Sequence, residues 1–319
     1  MKICSFGELL LDVTPYGISD KGYPVSEFNP GGAPANVAVA LSKLGLESSF
    51  IGQVGDDFFG HFLKSVLDEN KVDTQGLKLN PNFPTSLAIV SLTDKGERSF
   101  SFYRKNGADV MVDFNSDFQL KIDEADAFHC GSVSLSDDPA RTATMDILKY
   151  SRQKEKQISF DVNLRVLLWN DLSIAKRLIE EALDYVDILK VSEEELAFIR
   201  PNLKEEEALH SLMKDHPLKV ILVTYGEKGS AVYTNEHWIH VPSFKVKAID
   251  TTGAGDAFFG AFLAGIYGLS QTMDHLSVQE LKTLLYRANA CGAIATLKKG
   301  AIGSLPELSE LEAFLKEHS

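Results

Sequence analysis

Cysteine is scarce in this 319-residue chain: Cys4, Cys130 and Cys291 lie far apart and form no CxxC pair. That argues against a disulfide framework and a thiolate zinc site, and predicts buried free thiols in a reducing compartment. Long apolar runs are also missing; none approaches the roughly 20 residues that cross a bilayer. The opening MKICSFGELLLDV places a single Lys before Glu8, unlike a secretory signal. A soluble cytoplasmic protein with no membrane partner is expected. Positive charge is in deficit, with 32 Lys and Arg against 45 Asp and Glu and a net charge of −13. Nucleic-acid binders concentrate basic residues on one face, so nucleic acid is not the expected partner. A small anion remains open, because a few local cations and backbone amides suffice to hold it. No GxxxxGK[ST] loop occurs, and Phe258 stands where a dinucleotide fingerprint would carry its third glycine. His237 and His240, three apart in a strand-like stretch, read as a solvated or packed pair.

What is present is an alternation of short apolar runs and longer helical patterns, without internal repeats or a linker. Strands are expected at 2–7, 49–53, 127–130, 157–161, 187–191 and 219–224, and helices at 34–44, 141–154, 172–183 and 205–214. This order implies right-handed crossovers and a parallel sheet with helices on both faces, an αβα sandwich. Two stretches break the rhythm. Residues 85–92 and 98–103 read as a hairpin across 94–97, with period-2 alternation at Phe100 and Phe102. Residues 11–27 are non-helical and punctuated by Pro15, Gly17, Gly22 and Pro24. Together they predict a small β-layer added to one end of the main sheet, either a lid over a pocket or plain surface hairpins.

Two segments carry chemistry. In Asp250-Thr251-Thr252-Gly253-Ala254-Gly255-Asp256, a strand-like 244–249 leads into two glycines and a small-residue helix. Unshielded amides at a helix start stabilise charge developing on a phosphoryl group, and Asp256 beside them can take a proton from an attacking hydroxyl. The competing reading makes Asp256 a helix N-cap. In Gly31-Gly32-Ala33-Pro34-Ala35-Asn36, the paired glycines allow close approach to a ligand. Asn36 offers donors and an acceptor on the first turn of a helix.

These two segments, in this order and about 220 residues apart, resemble the signature motifs of the ribokinase-like (PfkB) carbohydrate kinases, and the resemblance runs from Lys2 to Pro306. It implies one kinase domain over 1–319, with lid segments near 11–31 and 84–109, that moves the γ-phosphoryl of ATP to a sugar hydroxyl with Mg2+. By resemblance, Asp256 is the catalytic base and Gly253, Ala254 and Gly255 form the anion hole. Asp12, Gly32 and Asn36 match sugar contacts, and Arg165, in Asp161-Val162-Asn163-Leu164-Arg165, reaches toward phosphate or substrate. Glu195 matches the acidic residue tied indirectly to magnesium, in a motif where Ser192 replaces the usual Asn. Thr224, Gly226, Gly229 and Asn289 match the nucleotide side, together with Ser192 and Gly255. Asp250, Thr252, Ala295, Lys298, Gly300 and Ser304 match positions that hold a monovalent cation such as K+ in relatives, mostly through backbone carbonyls.

The segment 96–109, Gly-Glu-Arg-Ser-Phe-Ser-Phe-Tyr-Arg-Lys-Asn-Gly-Ala-Asp, resembles the lid of fructokinases and assigns Tyr103 and Arg104 to the substrate. Fructose is the expected acceptor. The runner-up is 2-keto-3-deoxygluconate, whose carboxylate Arg104 or Arg165 would clamp. A sugar-binding regulator that has lost catalysis is the alternative from another class, and an exposed lid sheet would allow a homodimer.

Overall fold

The structure is a computed structural model and describes residues 1–92, 98–269, 273 and 276–318. Its strands are β1 (Lys2–Phe6), β2 (Leu10–Ile18), β3 (Pro24–Gly31), β4 (Glu47–Gly55), β5 (Leu77–Asn80), β6 (Leu87–Leu92), β7 (Arg98–Tyr103), β8 (Ala127–Gly131), β9 (Gln157–Asp161), β10 (Ile188–Ser192), β11 (Val220–Thr224), β12 (Ser230–Tyr233) and β13 (Trp238–Val241). The helices are α1 (Ala33–Lys43), α2 (Phe58–Glu69), α3 (Ser116–Glu124), α4 (Ala140–Gln153), α5 (Leu172–Leu183), α6 (Glu193–Ile199), α7 (Glu205–Asp215), α8 (Ala254–Tyr267), α9 (Val278–Ala295) and α10 (Leu308–Glu317).

Nine strands form one sheet in the order β13-β12-β11-β10-β9-β8-β1-β4-β5. It is parallel except at the edge, where β12 runs antiparallel to both β11 and β13. Strands covered by helices on both faces should be apolar throughout, and these alternate between two cores. Ile3, Ile188, Val220 and Leu222 enter the core under α1, α8 and α9. Their neighbours Cys4, Leu189, Ile221 and Val223 enter the opposite core under α4, α5 and α7. All three cysteines are buried free thiols.

The β-layer is a separate four-stranded sheet, ordered β3-β2-β6-β7, and not an extension of the main one. The chain leaves β1 at Gly7, and β2 then pairs only with β3 and β6, so no ladder joins the sheets. The connecting turn 94–97 and the side chain of Phe100 lie outside the described residues. The expected strand at 244–249 is not one: this stretch has no ladder partner. Phe244 instead packs its ring on Tyr286 and Phe314, with centroids 4.9 and 5.0 Å away.

One packing contact positions the site. A side chain at Gly260 would stand 2.5 Å from Ala40 Cβ, so the bare glycine lets α1 and α8 lie close together. The first turns of these two helices thereby meet.

Candidate active site

A cleft of about 610 Å³ opens between the two sheets. Asp12, Ala88 and Phe102 line it from the smaller sheet, and Glu8, Asn36, Arg165, Lys190 and Asp256 are among the residues lining the rest. At its centre the α8 helix begins. Gly253 is the cap residue, at φ 78°, a left-handed conformation that favours glycine. Asp256 lies in the first turn, and its Oδ2 accepts a 2.7 Å hydrogen bond from Asn36 Nδ2. The N-cap reading of Asp256 therefore fails: Gly253 holds that position and the carboxylate is turned to α1. The Ala254 amide is directed at Thr251 O, 3.3 Å away. Among the described residues, the Gly253, Gly255 and Asp256 amides have no backbone acceptor, and these are the donors left for an anion. Of the expected hole, Gly253 and Gly255 keep their amides free and only the Ala254 amide is taken, while the Asp256 amide adds a further donor.

The sugar-side residues converge. Gly32 has φ 112°, and a Cβ there would stand 2.2 Å from the Glu8 carbonyl, so only glycine lets the chain turn into α1 at this point. Asn36 Oδ1 is buried with no partner, an acceptor waiting for a donor. Burial pushes the Asp12 carboxyl up to about 6; Arg165 opposes this, while Asp256 and Asp250 add to it. Glu8, missed by the motif reading, is 4% exposed and accepts from the Ala33 amide at 3.0 Å. Burial pushes its carboxyl up to about 7, against the pull of Arg104.

Two lid assignments are corrected. Tyr103 lies 68% exposed outside the cleft, because strand alternation sends Phe102 inward and its neighbour outward. Arg104 is buried and does not line the cleft: Nε bonds Asp109 at 2.6 Å and Nη1 bonds Ser136 at 2.8 Å, while Nη2 has no partner among the described residues.

On the nucleotide side, Ser192 caps α6, accepting from the Glu195 amide at 3.1 Å. Glu195 returns the bond through Oε2 to the Ser192 amide, and its Oε1 takes the Leu164 amide at 2.7 Å. Glu193 and Glu194 are exposed, as expected of an acidic first turn. Thr224 pairs with Ser192 across the β10–β11 ladder, and Gly226 is exposed just beyond it. Gly229 is instead buried beneath the Val241–Ser243 backbone. Asn289 is also not an open contact: Ser230 donates to its Oδ1, and its amide donates to Val241 O. It ties α9 to the sheet edge.

The loop after 249 is anchored to the loop after α9. Asp250 accepts from Thr252 through Oδ1 and from the Gly300 amide through Oδ2. Ser304, fully buried nearby, donates to Ala301 O. The Lys298 ammonium leaves the site to pair with Glu310 at 2.9 Å. No position of Ala295 beyond its burial in α9 marks it as a ligand.

A helix-start anion site with an adjacent carboxylate, facing buried polar acceptors across a cleft, suits phosphoryl transfer to an alcohol. Comparisons with known proteins agree. Residues 1–308 match the pfkB family carbohydrate kinase model. A probable fructokinase-5 of Arabidopsis thaliana is 41% identical, covering 99% of this chain and 98% of its own. A fructokinase of Xylella fastidiosa solved with bound ATP superposes with TM-score 0.91 at 31% identity, covering 99% of this chain and 98% of that one. A Vibrio cholerae O395 fructokinase double mutant, solved with fructose, ADP and potassium ion, gives 0.86 at 34% identity, with 98% of each chain covered. With both signature segments meeting in one cleft and the family model spanning nearly the whole length, this chain belongs to the pfkB family of carbohydrate kinases.

Proposed function

We propose that the protein transfers the γ-phosphoryl group of ATP to the 6-hydroxyl of fructose, giving fructose 6-phosphate and ADP. The observation that carries this reading is Asp256 beside free helix-start amides and bonded to Asn36. The acceptor oxygen bonds to the γ-phosphorus as the bridging bond to ADP breaks, and its proton passes to Asp256. The Gly255 and Asp256 amides hold the charge spreading over the phosphoryl oxygens. Asn36 Oδ1 and the Asp12 carboxylate accept hydrogen bonds from sugar hydroxyls and aim the sugar.

Magnesium would shield the phosphate charge. Both Glu195 oxygens already accept amides, and no cluster of three metal-binding side chains exists among the described residues. This donor set fits an ion carried in by ATP, with water between it and Glu195. Asp250, Thr252 and Gly300, already drawn together, support a neighbouring potassium site of the kind implied by the Vibrio enzyme's bound ion.

The neutral hexose is favoured over 2-keto-3-deoxygluconate. Arg104 is clamped by Asp109, and the cleft sets Glu8, Asp12, Glu195 and Asp256 against two cations, Arg165 and Lys190. Measuring ADP release with fructose, glucose, ribose, adenosine and 2-keto-3-deoxygluconate decides it. Fructose should give the highest kcat/KM; a keto-deoxy acid preference of about tenfold or more, the effect of 1.36 kcal/mol, would overturn the hexose reading. ADP release that no sugar accelerates would support the silent regulator instead.

The chain is taken to act as one kinase domain in the cytoplasm, consistent with its unpaired thiols. Among the described residues no helix is long and apolar enough to cross a membrane. The smaller sheet exposes Tyr16, Ile18, Tyr23, Phe28 and Tyr103, which suits a second copy of the chain docking on the lid. A monomeric mass by sedimentation would remove that docking from the account.

A further inference from the structure

Lys190 is out of place in its strand. It interrupts the apolar run Ile188-Leu189-Lys190-Val191 in the middle of a parallel sheet and is only 7% exposed. Its ammonium bonds both oxygens of Asp161, at 2.9 and 2.7 Å, across the β9–β10 ladder. A buried ion pair is a poor device for stability, since an apolar pair of similar volume serves as well or better. The pair therefore calls for another reason.

Its surroundings supply one. A Cβ placed on Gly255 would stand 3.1 Å from Lys190 Nζ, so the ammonium lies against the residue whose amide faces the anion site. Lys190 lines the cleft together with Ser192, Glu195, Gly253, Gly255 and Asp256. Arg165 is the other cation in that lining, and it is exposed. A polyphosphate entering among Asp12, Glu195 and Asp256 needs a fixed positive charge, and an ammonium has three donors, of which Asp161 occupies two. Burial draws the Lys190 pKa down, but Asp161, Glu195 and Asp256 outweigh it and hold the group charged.

We propose that Lys190 is a catalytic residue of the phosphoryl transfer, its ammonium donating a hydrogen bond to an oxygen of the phosphoryl group in flight while Asp161 positions it. The inference rests on the kinase reading of the site. Lys190 keeps its proton throughout; the bonds made and broken at phosphorus and the transfer to Asp256 are unchanged. The role matches that of the lysine in phosphate-binding loops, reached here from a sheet strand.

The test uses Lys190→Met and the double variant Lys190→Met/Asp161→Asn. The single variant strands a buried carboxylate and should lose thermal stability, which the double variant recovers. Both should lose about 10²–10³-fold in kcat, the scale of removing one preorganised donor. The second readout is binding of ADP with fluoroaluminate, a mimic of the transferring group, against ADP alone. Fluoroaluminate-dependent tightening should vanish in the double variant while affinity for ADP changes by less than about threefold. A double variant of wild-type stability that keeps the tightening, or more than about a tenth of kcat, overturns the proposal. If wild-type enzyme turns over another sugar and not fructose, the fructose reading falls, while the fluoroaluminate comparison still decides the role of Lys190.

Discussion

At the scale of single residues, the cleft holds carboxyl groups whose charged form burial disfavours. Asp12 is the clearest case, a carboxyl that burial pushes up to about 6. Because its folded pKa lies above the unfolded value near 3.9, its contribution to stability is fully present below that value and is lost as pH rises through about 6. Above this the folded protein carries a largely buried carboxylate that Arg165 relieves in part and that, on the proposed function, a sugar hydroxyl would relieve further. Asp12→Asn should therefore raise Tm at pH 8 by about 2 °C or more, with a smaller gain at pH 5. It should also lower kcat/KM for fructose by at least about tenfold, the loss of one charge-assisted hydrogen bond. A melting curve unchanged at pH 8 would mean that solvent already relieves the charge. Legibility varied at this scale with the range of the contact. Asp12, Gly32, Asn36, Arg165 and Asp256 sit in short local patterns, and the structure brings them to one cleft. The role of Asn289 was not legible, because its partners Ser230 and Val241 are 59 and 48 residues away. Tyr103 stands outside the cleft, as the alternation that sends Phe102 inward requires. Lys190 left a signal as well, a lone cation inside an apolar strand.

Among the elements, strands covered on both faces are the most readable, since a run such as Val220 to Val223 is apolar without interruption. Residues 244–249 look like a strand for another reason, the alternation of Lys245 and Lys247 with apolar neighbours. Phe244 is apolar because it packs on α9 and α10, and sequence alone does not separate that from a ladder. The network joining α5, α6 and α7 was invisible, being built from residues far apart in the chain. His216 contacts Asp184 at 2.8 Å and Glu180 at 3.0 Å, and Arg200 pairs with Glu180 and Asp215. Burial lowers the His216 pKa, but the bonds to Glu180 and Asp184 outweigh it and raise the group above its ordinary value. The linkage has a definite sign: the stabilisation is fully present below the unfolded pKa near 6.5 and disappears as pH rises through the raised folded one. The Tm difference between wild type and His216→Asn should be largest at pH 6 and shrink by pH 8.5. A difference that grows with pH would contradict the charged-imidazole account.

The whole molecule is organised around a meeting of chain ends. The Asn36–Asp256 hydrogen bond spans 220 residues and joins the first helix to the eighth at the floor of the cleft. The second sheet, whose separateness could not be read because pairing partners are not written in a strand's own pattern, covers that floor with Ala88 and Phe102. If it closes on the sugar to exclude water from the phosphoryl group, amides of β2, β6 and β7 should exchange more slowly with fructose bound. Equal exchange with and without sugar would leave the sheet a static wall. The central claim is that the reacting hydroxyl surrenders its proton to Asp256 at the α8 helix start. Steady-state kinetics of Asp256→Asn test it most directly. The substituted amide still bonds Asn36 by exchanging donor and acceptor, so the fold and Tm should hold. The lost base should lower kcat by about 10²–10⁴-fold. Retention of more than about a tenth of wild-type kcat would contradict the account.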